Sequence, residues 1–252
     1  MPNQNKYIIS VKDLTVAYQE NPVIWDLDFY APEKTLLGIV GPNGSGKTTL
    51  LKSILGIIKP TTGLIKIAGQ SYNRSTHNIA YVPQKSSVDW NFPTDVFDVV
   101  LMGRYKHLSW FARPTKHDHE IAMQALTTMN MEKFAHRHIS QLSGGQQQRV
   151  FLARALAQQA NILIMDEPFV GIDITTEQLI LELLQKLRSQ GKTIIVVHHD
   201  LTTVKRYFDW TFLMNKKHIA LGATKDVLTE QNITQTFGSS NLLTDRNLYD
   251  SI

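Results

Sequence analysis

The stretch LLGIVGPNGSGKTTLL, residues 36–51, decides the fold of this chain. Its first five residues are apolar and predict a buried strand, while the residues from Lys47 onward follow an apolar helix pattern. Between the two, GPNGSGKT at residues 41–48 fits G-x-x-x-x-G-K-[ST] in full. Glycines let successive backbone N–H groups face an anion, so the stretch predicts a phosphate-binding loop between a strand and a helix.

The residue types of this loop predict a nucleotide and a magnesium ion. The ammonium of Lys47 is expected on the β- and γ-phosphates, and the hydroxyl of Thr48 on Mg²⁺. A guanine-specific protein would need Asn-Lys-x-Asp after a late strand, but Lys217 and His218 follow the pair at 215–216, so adenine is favoured. The predicted phosphate-binding residues are Gly41, Pro42, Asn43, Gly44, Ser45, Gly46, Lys47, Thr48 and Thr49.

Composition places the chain among ordinary globular proteins. It has 252 residues, of which 42% are hydrophobic and 19% charged, and no cysteine that could form a disulfide or a cysteine-based zinc site. The net charge is +4 with the basic residues scattered, so no nucleic-acid partner is expected. No apolar run reaches the length of a membrane span, and the N-terminus lacks an apolar signal segment. These features predict a cytoplasmic chain that serves a membrane, if at all, through a partner.

Strand and helix patterns alternate along most of the chain, which predicts an α/β class with a largely parallel sheet. The predicted strands are Ile8–Val16, Thr35–Val40, Leu64–Ile67, Ile79–Val82, Ile162–Met165, Thr193–Val197 and Trp210–Met214. The predicted helices are Lys47–Leu55, Asp95–Met102, Lys116–Met129 and Thr175–Ser189, the last with Thr175 and Gln178 as a capping pair. The span 88–148 has little strand pattern, so a helical subdomain inserted into the α/β core is expected there.

Two neighbouring acids follow a late strand. The stretch ILIMDEP, residues 162–168, is apolar until it reaches Asp166 and Glu167. Successive strand residues point to opposite sides, so the two carboxylates are expected to have different roles. Asp166 is expected to hold Mg²⁺, and Glu167 to orient and deprotonate a water aimed at the γ-phosphate. Together with the phosphate loop, the pair predicts ATP hydrolysis rather than binding alone.

A second candidate phosphate-binding element lies far along the chain, in QLSGGQQQRV at residues 141–150. Ser143, Gly144, Gly145 and Gln146 stand at the start of a predicted helix. A helix start presents unpaired N–H groups and the positive end of the helix dipole, which suits an anion.

In this combination and order, the motifs resemble the ATP-binding cassette (ABC) transporter family over nearly the whole chain. LSGGQ at residues 142–146 matches the signature sequence of the family, which is more specific than the phosphate loop. Tyr18 stands where the family has an aromatic residue that stacks on adenine. Gln84 matches the glutamine that touches Mg²⁺ and the attacking water, and His199 matches the switch histidine that contacts the γ-phosphate. The family commonly has Ser-Ala-Leu-Asp after the proline that follows the two acids, whereas residues 170–173 here are VGID.

The resemblance implies a single nucleotide-binding domain over residues 1–252. Its expected fold is a P-loop NTPase core of ABC ATPase type with an antiparallel β subdomain and an inserted helical subdomain. The implied cofactors are ATP and Mg²⁺. The implied partner is a second copy in a head-to-tail dimer, in which the phosphate loop of one copy and the segment 143–146 of the other sandwich each ATP. The resemblance further implies that ATP binding closes the dimer and that hydrolysis lets it open.

Other segments are similar to one subgroup of the family. SVDWNFPTDV at residues 87–96 and the doubled His198-His199 resemble the ATPases of manganese, zinc and iron importers, with the manganese type most similar. This resemblance implies a membrane permease as partner and a place at the cytoplasmic face of the membrane. It also implies an extracytoplasmic metal-binding protein that makes no direct contact. The alternatives are an importer of siderophores or other solutes and, less favoured, a non-transport ABC ATPase that acts on nucleic acid or ribosomes.

Overall fold

The computed structural model of the protein describes residues 7–19, 21–71, 78–90, 92–109 and 112–238, in two compact units. The first unit comprises residues before 79 and after 182, and the second comprises residues 79–182. The strands are β1 (Tyr7–Tyr18), β2 (Asn21–Pro32), β3 (Leu36–Val40), β4 (Thr62–Ile67), β5 (Gln70–Ser71), β6 (Ile79–Val82), β7 (Ile162–Asp166), β8 (Thr193–Val197), β9 (Trp210–Met214) and β10 (His218–Ala223). The α-helices are α1 (Lys47–Ile54), α2 (Val96–Leu101), α3 (Lys116–Thr128), α4 (Gly144–Ala157), α5 (Ile174–Ser189), α6 (Leu201–Tyr207), α7 (Thr224–Val227) and α8 (Glu230–Phe237).

The first unit contains an antiparallel sheet in the order β2-β1-β4-β5. Ile9 and Val11 of β1 are buried at the spacing of two that one face of a strand requires. The next buried residue is Leu14, three positions on, and the pairing with β2 shifts register at this place. Asp13 has a φ of 50° there, so the extra residue is accommodated as a bulge that keeps the apolar face toward the core.

The phosphate loop follows the central strand of a second set of strands in the first unit. β3 pairs in parallel with β8 on one side and with β9 on the other, and β10 pairs antiparallel with β9. All five residues of β3 and all five of β8 are buried, as their unbroken apolar sequences predict for parallel strands. The loop therefore lies at the carboxyl end of parallel strands, where α/β proteins bind their ligands.

The second unit combines a parallel strand pair with helices. β6 pairs with β7 from Ile79 opposite Ile162 to Val82 opposite Met165. α2 and α3 pack against each other and against α4. This unit therefore carries two parts of the candidate site. The two acids lie at the end of β7, and the second candidate phosphate-binding element lies at the start of α4.

Every predicted strand and helix is present, and each end lies within two residues of its predicted position. The predicted α/β class, with an antiparallel β subdomain and an inserted helical subdomain, is confirmed; the limits 88–148 of that subdomain stay a prediction. Three strands were missed: β2, β5 and β10. β5 has only two residues, too few to show an alternating pattern. Pro22, Asp26 and Asp28 weaken the strand pattern of β2, and Gly222 weakens that of β10. No helix in the described ranges has both the length and the apolarity that spanning a bilayer requires.

The predicted capping pair of Thr175 and Gln178 is wrong. α5 begins at Ile174, and the carboxylate of Asp173 accepts the backbone N–H of Thr176 at 2.9 Å and its hydroxyl at 2.8 Å. The backbone hydrogen bond has the larger effect and the side-chain hydrogen bond the smaller, and both lower the pKa of Asp173. A carboxylate is favoured over a hydroxyl here because it also interacts with the positive end of the helix dipole.

A glycine after α2 allows close approach to α4, which gives a stability prediction. A Cβ added at Gly103 would lie 2.3 Å from the carbonyl oxygen of Arg154, a backbone atom that cannot move aside alone. We expect Gly103→Ala to lower the free energy of unfolding by about 1–3 kcal/mol, measured by urea denaturation. Gly222→Ala is the matched control, since its Cβ would meet a side-chain atom of Val227 at 3.2 Å. Equal losses in the two variants would contradict this account.

Candidate nucleotide-binding site

The loop between β3 and α1 has free hydrogen-bonding capacity. Gly46 is the N-cap residue of α1, with a φ of 97°, and no side chain caps this helix start. Ser45 is buried, and its hydroxyl oxygen has no hydrogen-bond partner among the described residues. Gly44 has a φ of 76°, and an added Cβ would meet no described atom within 4 Å. An uncapped helix start with an unpaired hydroxyl and open space beside it fits the phosphates of a nucleotide.

The ammonium of Lys47 is hydrogen-bonded to the backbone of its own loop. It donates hydrogen bonds to the carbonyl oxygens of Gly41 at 2.8 Å and Pro42 at 2.9 Å. The side chain is buried with 6% of its surface exposed, so the charge is held at the loop and not in solvent. A phosphate that enters the loop can therefore replace these carbonyls as the partner of the ammonium.

The turn between β9 and β10 supports the phosphate loop, a role that sequence analysis missed. The backbone N–H of Lys216 donates to the carbonyl oxygen of Ser45 at 2.9 Å, and the N–H of Trp25 donates to the carbonyl oxygen of Lys216 at 3.1 Å. A Cβ at Gly41 would lie 2.1 Å from the carbonyl oxygen of Met214. Gly41 is thus needed for close approach to this turn, and not only for contact with phosphate.

Two further predicted site residues belong to the first unit. Tyr18 ends β1, where it pairs with Asn21, and 50% of its surface is exposed. His199 follows β8 and is exposed, with its ring 5.5 Å from that of His198 in an edge-on arrangement. Both rings are therefore accessible to a ligand.

The buried neighbour of His199 predicts a pH dependence of stability. Burial, followed by the charge of His199, lowers the pKa of His198 from 6.5 to about 4. The unfolded chain then binds the proton more readily, so the stabilisation is full above pH 6.5 and is lost as the pH falls through about 4. We expect the free energy of unfolding to drop by about 3 kcal/mol over this range. Denaturant titrations of the wild type and His198→Gln test it: an equal drop in both proteins would contradict the assignment.

In the second unit, the two acids have different surroundings. Asp166 is 1% exposed at the end of β7, whereas Glu167 is half-buried. Burial, followed by the charge of Asp166, raises the pKa of Tyr81 to about 12. Glu167 has a φ of 49°, which is uncommon for a residue other than glycine and marks a strained backbone directly after β7.

The structure brings two predicted catalytic residues together. The side-chain amide of Gln84 donates a hydrogen bond to Oε2 of Glu167 at 2.7 Å. Gln84 directly follows the strand β6 and a proline, so the parallel pairing of β6 and β7 places the two side chains at the same edge. A carboxylate held by one amide still has oxygen lone pairs with which to accept a proton from water.

The second predicted phosphate-binding element forms a capping box at the start of α4. Ser143 is the N-cap residue, and its hydroxyl oxygen accepts the backbone N–H of Gln146 at 3.4 Å. The side-chain oxygen of Gln146 accepts the N–H of Ser143 at 2.9 Å. Sequence analysis missed this pair, although S-x-x-Q is the capping-box pattern. The box fixes the orientation of Ser143 at the helix start.

The predicted site residues thus form two sets, each within one unit. Tyr18, residues 41–49 and His199 belong to the first unit. Gln84, residues 143–146, Asp166 and Glu167 belong to the second unit. Their roles toward a nucleotide stay predictions.

Comparison with known proteins identifies the family. The sequence pattern of the ABC transporter family matches residues 24–170. The manganese transport system ATP-binding protein MntB of Bacillus subtilis is 52% identical over 230 residues, which are 91% of this chain and 92% of that protein. The zinc transport system ATP-binding protein TroB of Treponema pallidum is 50% identical over 232 residues, 92% of this chain and 87% of that protein. A solved structure described as a metal-chelate type ABC transporter in an inward-facing conformation has a TM-score of 0.80 at 36% identity, over 92% of this chain and 88% of that chain.

The resemblance drawn from the motifs is confirmed. The family pattern covers more than half of the chain, and the two relatives share about half of their residues with it over nine tenths of its length. The chain therefore belongs to the ABC transporter family and is one of its ATP-hydrolysing subunits.

Proposed function

We propose that this protein hydrolyses ATP to power the import of a divalent metal ion through a separate membrane permease. Hydrolysis rests on one observation above all, the hydrogen bond of Gln84 to Glu167 beside the buried Asp166. Manganese is the proposed cargo because the relative from Bacillus subtilis serves manganese transport, and zinc is an alternative because the relative from Treponema pallidum serves zinc transport. Iron is a further alternative.

ATP is held through its phosphates by residues 41–49. The uncapped first turn of α1 and the unpaired hydroxyl of Ser45 supply neutral donors, and Lys47 supplies the charge. Lys47 exchanges its bonds to two backbone carbonyls for bonds to phosphate oxygens, which are stronger because both partners are charged. The exposed ring of Tyr18 offers a stacking surface for adenine.

Magnesium fits the donor set of Thr48, Gln84 and Asp166. All three offer oxygen atoms, the ligands that Mg²⁺ prefers, and Mg²⁺ commonly uses one or two carboxylates together with substrate phosphates. When bound, the ion would neutralise charge that develops on the phosphates during transfer. Asp166, buried at the end of β7, is the carboxylate of this set.

Hydrolysis uses Glu167 as the general base. Its carboxylate accepts a proton from the water that attacks the γ-phosphate, and the amide of Gln84 keeps that carboxylate in place. His199, exposed after β8, donates to the γ-phosphate and stabilises its charge.

Two copies act as a head-to-tail dimer with two ATP sites. The start of α4 in one copy contacts the γ-phosphate of the ATP bound by the other copy, through Ser143, Gly144 and Gly145. Gln146 supports the contact by holding Ser143 in the capping box. Each phosphate element therefore serves a different ATP, which explains why one chain carries both.

The chain acts as one nucleotide-binding domain, residues 1–252, at the cytoplasmic face of the membrane. The proposed helical subdomain, residues 88–148, faces the permease, and an extracytoplasmic metal-binding protein delivers the ion without touching this subunit. Exposed apolar side chains within the subdomain support a docking role, with Phe92 56%, Met102 39% and Tyr105 53% exposed. Apolar side chains of this size are favourable anchors at protein interfaces.

Metal content of the native host tests the cargo. Cells that carry Glu167→Gln in place of the normal chain are compared with the wild type for total manganese, zinc and iron. Selective loss of manganese is the expected result, and selective loss of zinc or iron would reassign the cargo. Unchanged levels of all three, with redundant uptake systems excluded, would contradict metal import and direct the search to siderophores and other solutes.

Cell fractionation separates transport from action on nucleic acid or ribosomes. A transporter subunit is expected to sediment with membranes only when its permease is expressed. Sedimentation that does not depend on the permease but is lost after nuclease treatment would favour the non-transport class.

A further inference from the structure

Two consecutive residues of the second unit contact two different parts of the candidate site. Gln84 donates to Oε2 of Glu167. A Cβ added at Gly144 would lie 2.1 Å from Nζ of Lys85 and 3.3 Å from its Cε, so the ammonium occupies the space that a side chain at 144 would need. The carboxylate after β7 and the start of α4 are therefore joined through Gln84 and Lys85.

The backbone that carries this pair is attached to α4 by stacked side chains. The indole N–H of Trp90 donates to the carbonyl oxygen of Lys85 at 2.9 Å, and its ring lies 4.8 Å from that of Phe151. The guanidinium of Arg154 lies 4.4 Å from the ring of Phe151 and donates to the carbonyl oxygen of Tyr81 at 3.3 Å. Phe151 and Arg154 belong to α4, so these side chains attach the segment after β6 to this helix.

The ammonium of Lys85 lies where its charge responds to an anion. A helix start carries a partial positive charge, so a cation against Gly144 is unfavourable unless a negative group is near. Among the described residues, no carboxylate forms an ion pair with this ammonium. A phosphate bound at Ser143 would attract the ammonium, and its departure would remove this attraction.

We propose that Lys85 is a positioning residue that couples the two ATP sites of the dimer. This inference rests on the proposed function, in which Gln84 and Glu167 serve the ATP on the phosphate loop of their own chain and the start of α4 serves the ATP of the second copy. A γ-phosphate at α4 attracts Lys85, and the adjacent Gln84 moves with it. The orientation of Glu167 at one site thus depends on whether the other site is filled.

The ATP dependence of hydrolysis tests the coupling in the assembled protein. Lys85→Met keeps the length of the side chain and removes its charge, whereas Lys85→Arg keeps the charge. Lys66→Met, at a half-buried lysine of β4, is the matched control. We expect a Hill coefficient above unity in the wild type, Lys85→Arg and Lys66→Met, and a value near unity in Lys85→Met. Coupling of this kind changes affinity by about fivefold or more, which a titration resolves.

A double-mutant cycle tests the contact with Gly144. Gly144→Ala is expected to displace the ammonium and to reproduce the loss of cooperativity of Lys85→Met, so the double variant should be no worse than either single variant. The cycle compares Hill coefficients and not rates, because Gly144 also belongs to the proposed phosphate contact. Additive losses, or a wild-type Hill coefficient of unity, would overturn the proposal. Cooperative ATP hydrolysis in Lys85→Met would also overturn the proposal, provided that Glu167→Gln is inactive. Normal turnover in Glu167→Gln would instead overturn the proposed function.

Discussion

Replacement of Glu167 by glutamine is expected to lower the rate of ATP hydrolysis by about 10²- to 10⁴-fold while ATP still binds. Glutamine has the same shape as glutamate, and its amide oxygen can still accept the hydrogen bond that Gln84 donates at 2.7 Å. The variant therefore keeps the arrangement at the end of β7 and loses only the ability to accept a proton from water. The effect should appear in kcat and not in nucleotide affinity, because the phosphate loop is unchanged.

Steady-state measurements with ATP in excess give kcat, and titration with a fluorescent ATP analogue gives the affinity. Glu182→Gln is the matched control, because Glu182 is exposed on α5 and is expected to leave the rate unchanged. A rate within a few-fold of the wild type in Glu167→Gln would mean that another group activates the water.

Replacement of Ser143 by arginine is expected to abolish turnover and to spare the binding of ATP to the phosphate loop. The arginine side chain would fill the space at the start of α4 where the proposed second ATP contacts Ser143 and Gly145. It also removes the hydroxyl of the capping box, which is expected to reduce stability by about 0.5–2 kcal/mol. The dominant effect on activity is therefore steric: the arginine side chain excludes the second ATP from the start of α4.

Ser143→Ala separates these two contributions. It removes the cap without adding bulk, so it is expected to retain a measurable fraction of turnover at a similar cost in stability. ATP binding and hydrolysis are measured on both variants, with thermal unfolding as the check on folding. Normal hydrolysis in Ser143→Arg would contradict the proposal that α4 takes part in an ATP site.

Local features of the site could be predicted from sequence because their chemistry is set by neighbouring residues. The phosphate loop follows from its own glycines, Lys47 and the flanking strand and helix patterns. The carboxylates at 166–167 follow from an unbroken apolar strand before them. The capping box of Ser143 and Gln146 could also have been predicted from the S-x-x-Q spacing, but sequence analysis missed it.

Tertiary contacts could not be predicted in this way, because they join residues that are distant in sequence. The support of Ser45 by Lys216 depends on how β9 and β10 return beside the loop, and β10 itself was missed. The placement of Lys85 against Gly144 depends on the attachment of Trp90 to α4. The cap at Asp173 was missed for a different reason: a hydroxyl and a carboxylate two residues apart both fit a helix start, and only the backbone geometry decides between them.

The most direct test of the central claim is to mix two inactive variants. Lys47→Ala disables the phosphate loop, and Ser143→Arg disables the start of α4. In a head-to-tail dimer of one Lys47→Ala copy and one Ser143→Arg copy, one site carries both defects and the other carries an intact loop and an intact α4. The account predicts that the mixture regains part of the wild-type ATP hydrolysis although each variant alone is inactive. A mixture that exchanges subunits and still shows no hydrolysis at any ratio would contradict it.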